Sequence, residues 1–335
     1  MTSDRATADE GTDSGRDGGG ELFVPAVTGT ATPDPRVLPA SPVTRFAPAP
    51  TGPLHLGHLV NILYVWGIAR ATGGQVVLRI EDHDRQRSRP EHEAALLDDL
   101  ERVGVAPDLP ALDSFRLGAS PYRQSDNAPA YAAALEPLRG EALVYACGCS
   151  RSTFAAYEAA NGRPWRGIGC PGRCRAASLP ESDAMALRVA VGAGSERWVD
   201  LLAGPLADEP AASGDPLVRD RLGNWTYAWC VVVDDMRHGT DLVVRGRDLL
   251  EATPVQLRLA RLLGREVPPG YLHHPLIRRR SGQKLSKAAG DTAIRALLDA
   301  GRTPAELFGL AARLAGLQPD DAPIDPATLG RVFSA

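Results

Sequence analysis

The chain has 335 residues, of which 44% are apolar and 23% are charged, which is enough for one large domain or two smaller domains with proper cores. Its apolar runs are far shorter than the roughly 20 residues that a membrane-spanning helix needs, and nothing in it resembles a signal peptide. We therefore predict a cytoplasmic protein with no membrane partner.

The formal net charge of −4 is concentrated at the N-terminus. Residues 1–21 contain six acidic residues and two arginines, which gives −6 + 2 = −4 for this stretch and zero for residues 22–335. Gly, Asp, Ser, Thr and Pro dominate residues 1–40, and no hydrophobic period is visible, so we predict a disordered acidic tail. Because the remaining body is neutral, any contact with RNA must come from local patches.

The stretch RFAPAPTGPLHLGH, residues 45–58, is the segment around which the rest of the chain is organised, and we refer to it as the HxGH segment. Residues 43–47 have strand character, a Pro/Gly loop follows, and apolar residues recur at helical spacing from Gly57 onwards. A strand that passes through a tight loop into a helix presents free N–H groups and the positive end of the helix dipole, which suits a phosphate. His55 and His58 lie where the loop meets the helix, and Gly57 leaves the approach of the ligand unblocked.

A second strand, predicted over residues 75–80, ends in the acidic stretch 81–84. A parallel βαβ unit would open both segments onto one crevice at the carboxyl ends of the strands. Acidic residues at a strand end are usually a solvated edge, but Glu81 follows an apolar strand whose neighbour binds an anion. Residues 85–89 are rich in arginine and form either an RNA-facing surface or a solvated one, and a helix over 91–103 follows.

Four of the five cysteines lie close together in the sequence, as Cys147/Cys149 and Cys170/Cys174. A reducing cytoplasm disfavours disulfides, so clustered thiols indicate a metal site. Two close-spaced pairs can surround a tetrahedral ion with four thiolates at about 2.3 Å, which is the closed arrangement of structural zinc. The alternative is a set of buried or free thiols. The fifth cysteine, Cys230, lies in an apolar run and is predicted to be a packed core residue.

The second half of the chain is predicted to add further strands to the sheet. Residues 228–233 are fully apolar, which is typical of a buried parallel strand, and this strand would end in Asp234. Another strand is predicted over 241–244, followed by a helix over 249–263 with Asp248 as its N-cap.

Both lysines of the chain occur within residues 283–287, whereas the other 35 of its 37 basic residues are arginines. A compact ammonium on a flexible stem differs from the fork of an arginine, so this pairing of Lys284 and Lys287 indicates a specific role. Residues 289–335 leave room only for short helices, which are predicted at about 291–300, 304–316 and 326–333.

Together these segments resemble the class I aminoacyl-tRNA synthetases of the glutamyl branch, over about residues 42–316. Residues 284–287, KLSK, are similar to the KMSKS-type loop of that family and are called the KLSK loop below. The resemblance implies an α/β fold with a Rossmann-like, doubly wound parallel sheet, a zinc-bearing insertion and a short C-terminal helical segment. The predicted regions are a disordered tail (1–40), the first half of the catalytic domain (41–139), the zinc insertion (140–220), the second half with the KLSK loop (221–288) and a short helical segment without an anticodon-binding domain (289–335).

The resemblance also implies a role for each site residue. Four side chains would neutralise the charge that builds on the phosphates of ATP: His55, His58, Lys284 and Lys287. The contacts with ATP would come from His55, Gly57, His58 and Lys287. The pocket for glutamate would be formed by Arg45, Glu81, Tyr227 and Arg245, with Glu81 receiving the amino group. One structural Zn²⁺ would be held by Cys147, Cys149, Cys170 and Cys174, and Mg²⁺ would accompany ATP.

The implied reaction is ATP-dependent activation of L-glutamate to glutamyl-adenylate without tRNA, and transfer of the glutamate to queuosine in the anticodon of tRNA(Asp), as in truncated members of this branch. An arginine fork bound to the substrate carboxylate would reject the amide analogue, which carries no charge. Three positions depart from the family pattern: Ala49 stands where Ser is usual, His83 where Thr is usual, and Ala288 where Arg or Gln is usual.

Three alternatives remain open. The protein is an enzyme that charges the 3′ end of a tRNA, as a full glutamyl-tRNA synthetase does, or a non-catalytic tRNA- or zinc-binding protein derived from a synthetase. The third alternative is another HxGH nucleotidyltransferase, such as a small adenylyltransferase. The paired lysines and the cysteine cluster argue against this last class.

Overall fold

The computed structural model describes residues 22–23, 31–161, 169–279 and 293–334. The described strands are β1 Leu22–Phe23, β2 Val43–Phe46, β3 Gln75–Leu78, β4 Val144–Cys147, β5 Ala186–Val189, β6 Glu196–Asp200, β7 Gly204–Asp208, β8 Leu217–Arg219, β9 Leu242–Gly246, β10 Gly270–His274 and β11 Arg278–Arg279. The described α-helices are α1 Leu56–Thr72, α2 Pro90–Arg102, α3 Leu112–Arg116, α4 Ala128–Gly140, α5 Arg151–Asn161, α6 Arg173–Ala176, α7 Tyr227–Arg237, α8 Thr253–Leu262, α9 Ile294–Asp299 and α10 Pro304–Leu314. Short 3-10 helices occupy Pro35–Val37, Gln124–Asn127, Pro210–Ser213, Arg247–Ala252 and Pro326–Val332.

A mainly parallel set of strands forms the centre of the molecule. Strand β2 pairs in parallel with β3, and β9 pairs in parallel with β10. The two pairs belong to separate hydrogen-bonded sheets that lie side by side: the Asp241 N–H, just before β9, donates to the Val43 carbonyl at 3.0 Å, which places β2 beside β9. Strand β10 continues in parallel to β6, and β6 pairs antiparallel with β7. The predicted α/β fold class is therefore confirmed, with a mixed sheet rather than a purely parallel one.

Helix α1 lies at the heart of the largest core cluster. Apolar residues surround it on all sides, which is the pattern of a helix in the interior. The C-terminal 3-10 helix packs against it so closely that a Cβ at Gly67 would lie 2.4 Å from the ring of Phe333. The helix ends at Gly73, whose φ of +71° is the left-handed conformation that closes a helix. None of the described helices, α1 included, is both long enough and apolar enough to cross a lipid bilayer.

The strand predicted over residues 228–233 is wrong, because these residues belong to helix α7. A short apolar run is ambiguous between a buried strand and a buried helix, and here the tertiary packing decides between them. Helix α7 lies between α4 and α8, and the indole N–H of Trp229 donates to the carbonyl of Tyr131 on α4 at 3.1 Å. Cys230 is completely buried in this cluster, so its predicted core role is confirmed.

The helix predicted over residues 249–263 begins later than expected. Residues 247–252 form a 3-10 helix, and the α-helix α8 starts at Thr253. Pro254 explains the difference, because proline lacks an N–H and fits an α-helix only in its first turn. Asp248 is therefore not the N-cap of α8.

A small antiparallel sheet of order β4-β5-β8 carries the cysteine-rich region. Strand β4 ends at Cys147, helix α6 contains Cys174, and Cys170 pairs with Asp215 just before β8. The boundaries given above between the catalytic halves, the zinc insertion and the C-terminal segment remain predictions.

Part of the predicted disordered tail is ordered. Asp34 caps a 3-10 helix, and the hydroxyl of Tyr64 on α1 donates to the carbonyl of Ala31 at 2.6 Å. Strand β1 pairs antiparallel with β11. Disorder is thus the wrong prediction for residues 31–40, because these contacts with the core compensate for their polar composition. The remaining tail residues lie outside the described ranges.

Candidate functional site

A cavity of about 300 Å³ opens at the carboxyl ends of β2 and β9. The chain continues from β2 to β3 on one side and from β9 to β10 on the other, so this is the switch point of the sheet, where ligands bind in doubly wound folds. The cavity brings together all of the predicted ATP and glutamate residues that the structure describes: Arg45, His55, Gly57, His58, Glu81, Tyr227 and Arg245. Lys284 and Lys287 lie outside the described residues.

The two histidines of the HxGH segment cap the N-terminus of α1. The Gly57 N–H donates to Nδ1 of His55 at 3.1 Å, and the His55 N–H donates to Nδ1 of His58 at 3.1 Å. Each Nδ1 is thus an acceptor, so in the neutral ring the proton is on Nε2, which is a hydrogen-bond donor suited to a phosphate oxygen. Gly57 allows this arrangement because a Cβ there would lie 2.9 Å from Cε1 of His55.

The residues on either side of the KLSK loop lie at the HxGH segment and at the cavity. After the loop, the Ile294 N–H donates to the Leu54 carbonyl at 2.9 Å, and Ala293 pairs antiparallel with His55. Before the loop, residues 275–277 line the cavity. The chain therefore approaches the undescribed segment 280–292 from the cavity and leaves it beside the HxGH segment.

A buried network of charges supports the side of the cavity formed by Arg45 and Glu81. Arg45 contacts Oδ1 of Asp235 on α7 at 3.2 Å, and the same oxygen accepts from Nη1 of Arg79 at 2.7 Å. Nη2 of Arg79 donates to Oε1 of Glu81 at 3.1 Å. Burial alone would raise the pKa of Asp235, but the Arg45 and Arg79 guanidiniums outweigh this effect and keep the carboxyl ionised. Glu81 is thus held by Arg79, a residue that the sequence analysis did not single out.

The direct hydrogen-bond partners of Arg245 are neutral, and the nearby Asp235 carboxylate also interacts with its charge. Among the described residues, its partners are Nε2 of His273 at 2.9 Å, Oε1 of Gln256 at 2.6 Å, Oγ1 of Thr253 at 2.8 Å, the Leu249 carbonyl at 3.2 Å and the Tyr227 hydroxyl at 3.4 Å. Arg245 is 4% exposed and lines the cavity. A buried cation with neutral partners favours an anionic ligand, because a buried charge needs an opposite charge for compensation.

His274, at the end of β10, contributes a neutral imidazole to the cavity wall. Its Nδ1 donates to the Pro275 carbonyl at 2.8 Å, and its Nε2 accepts from the side-chain amide of Asn61 at 3.1 Å. The ring stacks on Tyr64 at a centroid distance of 5.1 Å. Burial lowers the pKa of His274 to about 4, so the ring is neutral at pH 7.

The three departures from the family pattern have different surroundings. His83 contacts Oε1 of Gln124 at 2.7 Å, and the amide of Gln124 donates to Asp234 at 3.2 Å, so His83 belongs to the buried polar network behind the cavity. Ala49 lies in the loop before the HxGH histidines, where its carbonyl accepts from the Thr51 N–H at 2.8 Å. Ala288 lies outside the described residues.

The four predicted metal ligands form one cluster. The sulfur atoms of Cys147, Cys149, Cys170 and Cys174 all lie within 4.8 Å of one another, with Cys149 at 3.7 Å from Cys170 and 3.4 Å from Cys174. Zn–S bonds of about 2.3 Å in a tetrahedron place the sulfurs about 3.8 Å apart, so the donor set fits zinc. Buried Arg188 donates to the Cys147 sulfur at 3.0 Å and supplies positive charge beside the cluster.

The sequence did not single out several residues around the site, above all Arg79, Asp235, His273 and Arg188. One of them left a visible signal, since Arg79 is an arginine inside an otherwise apolar strand. The others are single polar residues whose partners are distant in sequence; Arg79 and Asp235 are 156 positions apart.

Comparisons with known proteins agree with the geometry. Residues 42–322 match the family described as tRNA synthetases class I (E and Q), catalytic domain. The chain is 41% identical over 283 residues to a glutamyl-Q tRNA(Asp) synthetase of Rhodobacter capsulatus, which covers 79% of this chain and 98% of that protein. It is 38% identical over 301 residues to the protein of that name from Symbiobacterium thermophilum, covering 86% of this chain and 91% of the relative.

Two solved structures share the fold. The glutamate-tRNA synthetase of Elizabethkingia anophelis superposes with a TM-score of 0.68 at 25% identity, over 81% of this chain and 61% of that one. A glutamate tRNA ligase of Elizabethkingia meningosepticum, solved with its amino acid, gives a TM-score of 0.72 at 24% identity, over 88% and 64%. The chain thus spans less than two thirds of either solved enzyme.

The family match covers most of the chain, the named relatives align over nearly their full length, and the HxGH segment lies at the switch point of the sheet. The chain therefore belongs to the class I tRNA synthetases for glutamate and glutamine and, within them, to the glutamyl-Q tRNA(Asp) synthetases, which makes it an aminoacyl-tRNA synthetase-like ligase.

Proposed function

We propose that the protein activates L-glutamate with ATP, without tRNA, and transfers the glutamyl group to queuosine in the anticodon of tRNA(Asp). The observation that carries the proposal is the single cavity at the switch point, which is lined by the HxGH histidines on one side and by Glu81 and Arg245 on the other. The names of the aligned relatives support the choice of the acceptor.

Glutamate recognition follows from the charges in the cavity. The carboxylate of Glu81, fixed by Arg79, receives the substrate ammonium, which is a charge-assisted contact. The side-chain carboxylate of glutamate faces Arg245, whose longest contact is the 3.4 Å one to the Tyr227 hydroxyl. A carboxylate can replace that contact at little cost, whereas the neutral amide of glutamine leaves the buried cation uncompensated.

Activation requires the substrate α-carboxylate to attack the α-phosphate of ATP. A bond forms between the carboxylate oxygen and the α-phosphorus, the bond to the bridging oxygen breaks, and pyrophosphate leaves with the electron pair. His55 and His58 donate from Nε2 to the phosphates, and Lys284 and Lys287 supply positive charge. Mg²⁺ bound with ATP shields the phosphate charge.

In the second step, a hydroxyl of the queuosine cyclopentene diol attacks the carbonyl of the mixed anhydride. The new ester bond forms as AMP departs, and the hydroxyl proton passes to solvent or to the leaving phosphate. The four clustered cysteines would hold one structural Zn²⁺, and with all four of its ligands supplied by the protein this ion would stabilise the fold and not take part in the reaction.

Labelled glutamate tests the acceptor. We expect label to enter tRNA(Asp) that contains queuosine and to be absent from the same tRNA with guanine at that position. Label that enters tRNA(Glu) and is lost after periodate treatment of its 3′ end would instead identify an ordinary charging enzyme. A protein that neither activates glutamate nor labels any tRNA would be a non-catalytic binding protein.

A further inference from the structure

We propose that Asp200 and His273 are positioning residues that orient Arg245 and thereby select a substrate with a side-chain carboxylate. The inference rests on the proposed activation of glutamate, and it assigns a role to two buried residues that do not line the cavity themselves.

The three side chains form a directed chain of hydrogen bonds. Arginine Nε carries a hydrogen and only donates, so Nε2 of His273, 2.9 Å away, is the acceptor. The ring proton must then be on Nδ1, which donates to Oδ2 of Asp200 at 2.6 Å. The carboxylate of Asp200 thus sets the tautomer of His273, and the tautomer sets the direction of the bond to Arg245.

Asp200 is itself fixed on both oxygens. Its Oδ1 accepts from the N–H groups of Leu202 at 3.0 Å and Ala203 at 2.8 Å. Its Oδ2 also accepts from the backbone N–H of His273 at 3.1 Å. With 1% exposure, this carboxylate has one orientation, and that orientation passes through the imidazole to the guanidinium.

The imidazole separates the two charges. A carboxylate placed directly beside Arg245 would compensate the cation and remove its attraction for the substrate, whereas a neutral ring holds the guanidinium without cancelling its charge. Burial and the neighbouring guanidinium lower the pKa of His273 in spite of Asp200, which agrees with a neutral ring. A protonated ring would place an N–H of His273 against the N–H of Arg245.

Gln256, Thr253 and the Leu249 carbonyl hold the two Nη groups of Arg245, and among the described residues His273 is the hydrogen-bond acceptor for its Nε. The guanidinium lies over the ring of Tyr271 at 5.5 Å, and the Tyr271 ring is nearly parallel to that of His273. Thr253 contacts both Arg245 at 2.8 Å and His273 at 3.2 Å. Without an acceptor at Nε, we expect the guanidinium to turn in its plane, so that the N–H now directed at Tyr227 no longer faces the cavity.

Asp200 lies at the end of β6, in the predicted zinc insertion, whereas Arg245 lies on β9. The parallel pairing of β6 with β10 brings them together through His273. The inserted region therefore contributes to the choice of the amino acid.

The test compares His273→Phe with His273→Gln in glutamate-dependent ATP–pyrophosphate exchange. Phenylalanine keeps a ring but offers no acceptor, and we expect the KM for glutamate to rise about tenfold or more, since a hydrogen bond to a charged group is lost. The KM for ATP should stay at the wild-type value, and the preference for glutamate over glutamine should fall. Glutamine at position 273 offers an oxygen in the place of Nε2 and should restore part of the glutamate affinity.

Two further variants separate positioning from general destabilisation. Asp200→Asn should also raise the KM for glutamate, and combining it with His273→Phe should add little to the effect of His273→Phe alone, because both act through one chain of contacts. Trp198→Phe is the control, since Trp198 lies on the same strand as Asp200, in an apolar cluster that includes Tyr271, and is not among the hydrogen-bond partners of Arg245 given above. It should leave both KM values and the glutamate preference unchanged.

These experiments distinguish a wrong positioning role from a wrong proposed function. Absence of exchange in the wild-type protein would reject glutamate activation itself. If the wild type is active and His273→Phe keeps the wild-type KM for glutamate and the same preference over glutamine, the positioning role is refuted. Equal changes in the KM values for glutamate and ATP, or the same changes in Trp198→Phe, would also refute it.

Discussion

Arg79 is the side chain on which the charged wall of the cavity depends. It is fully buried and lies within 4 Å of three carboxylates, those of Asp235 at 2.7 Å, Glu81 at 3.1 Å and Asp234 at 3.9 Å. Burial alone would lower its pKa, but the surrounding carboxylates outweigh burial and raise the pKa further above its usual range. Removal of one partner from such a network leaves uncompensated charge in the interior.

Replacement of Arg79 by methionine should therefore lower the free energy of unfolding by about 3 kcal/mol or more, as measured by urea denaturation at pH 7. Arg116→Met is a matched control, because Arg116 also contacts several carboxylates but lies at the surface. Loss of the Arg116 side chain should lower the free energy of unfolding by no more than about 1 kcal/mol. Equal losses in the two variants would contradict the role given to Arg79.

Lys287 is predicted to contact the phosphates of ATP. Lys287→Ala should abolish ATP–pyrophosphate exchange, because it removes positive charge from the phosphates, and should leave the zinc content unchanged. Lys287→Arg is the informative companion: it keeps the charge but replaces a compact ammonium by a planar fork, so it should recover only part of the rate. Wild-type exchange in Lys287→Ala would exclude the assigned role.

At the scale of single residues, the sequence predicted site residues best where those residues lie close together in the chain. His55 and His58 were found because they share a short segment, and the cavity brings them together with Arg45 and Arg245. Arg79 and Asp235 were missed because the contact between them spans 156 positions and neither lies in a recognisable motif. The tautomers of the two capping histidines are also a property of the folded backbone alone.

At the scale of elements, strand β10 ends in the two buried histidines His273 and His274. His274 has the clearer consequence for stability, because burial lowers its pKa to about 4 whereas an unfolded histidine titrates near 6.5. Between these values the unfolded chain binds a proton that the folded chain does not bind. The folded state therefore loses stability as the pH falls from about 6.5 towards 4.

Between pH 7 and pH 5 this linkage should lower the free energy of unfolding by about 2 kcal/mol, in addition to the effects of other groups. His274→Phe keeps a ring against Tyr64 and removes the titrating group. Its stability should therefore fall less steeply with acid than that of the wild type, by about the same amount. Parallel pH curves for the two proteins would contradict the assignment.

The cysteine-rich sheet gives a second prediction at this scale. Cys170→Ser should reduce bound zinc, measured as the ratio of metal to protein, because the cluster loses one of its four sulfurs. Cys230→Ala is the control, since Cys230 is equally buried but lies in the core between α4 and α8. If both variants retain the same zinc as the wild type, the cluster is not the metal site.

Element boundaries show where sequence patterns stop being decisive. Strands β2 and β3 and the start of helix α1 were predicted close to their observed positions, because the loop and the helical spacing leave little choice. Helix α7 was predicted as a strand because its β-branched residues fit either structure, and only its packing between two helices decides. Packing also orders residues 31–40, whose composition favours disorder.

For the molecule as a whole, the central feature is the meeting of β2 with β9. Each strand carries one arginine, Arg45 or Arg245, to the same edge of the sheet, and the HxGH segment closes the crevice between them. The family resemblance implied that Arg45 and Arg245 share one pocket, whereas the sequence motifs themselves predicted only the pairing of β2 with β3. They did not predict that β6 extends the sheet and delivers Asp200 to the back of the pocket, since that depends on one register between distant segments.

The most direct test is ATP–pyrophosphate exchange by the wild-type protein in the absence of any tRNA. With glutamate present, the structure predicts exchange that saturates with the amino acid, and with glutamine at the same concentration it predicts exchange lower by about two orders of magnitude or more, because the amide leaves Arg245 uncompensated. No exchange with glutamate, or equal exchange with both amino acids, would contradict the account.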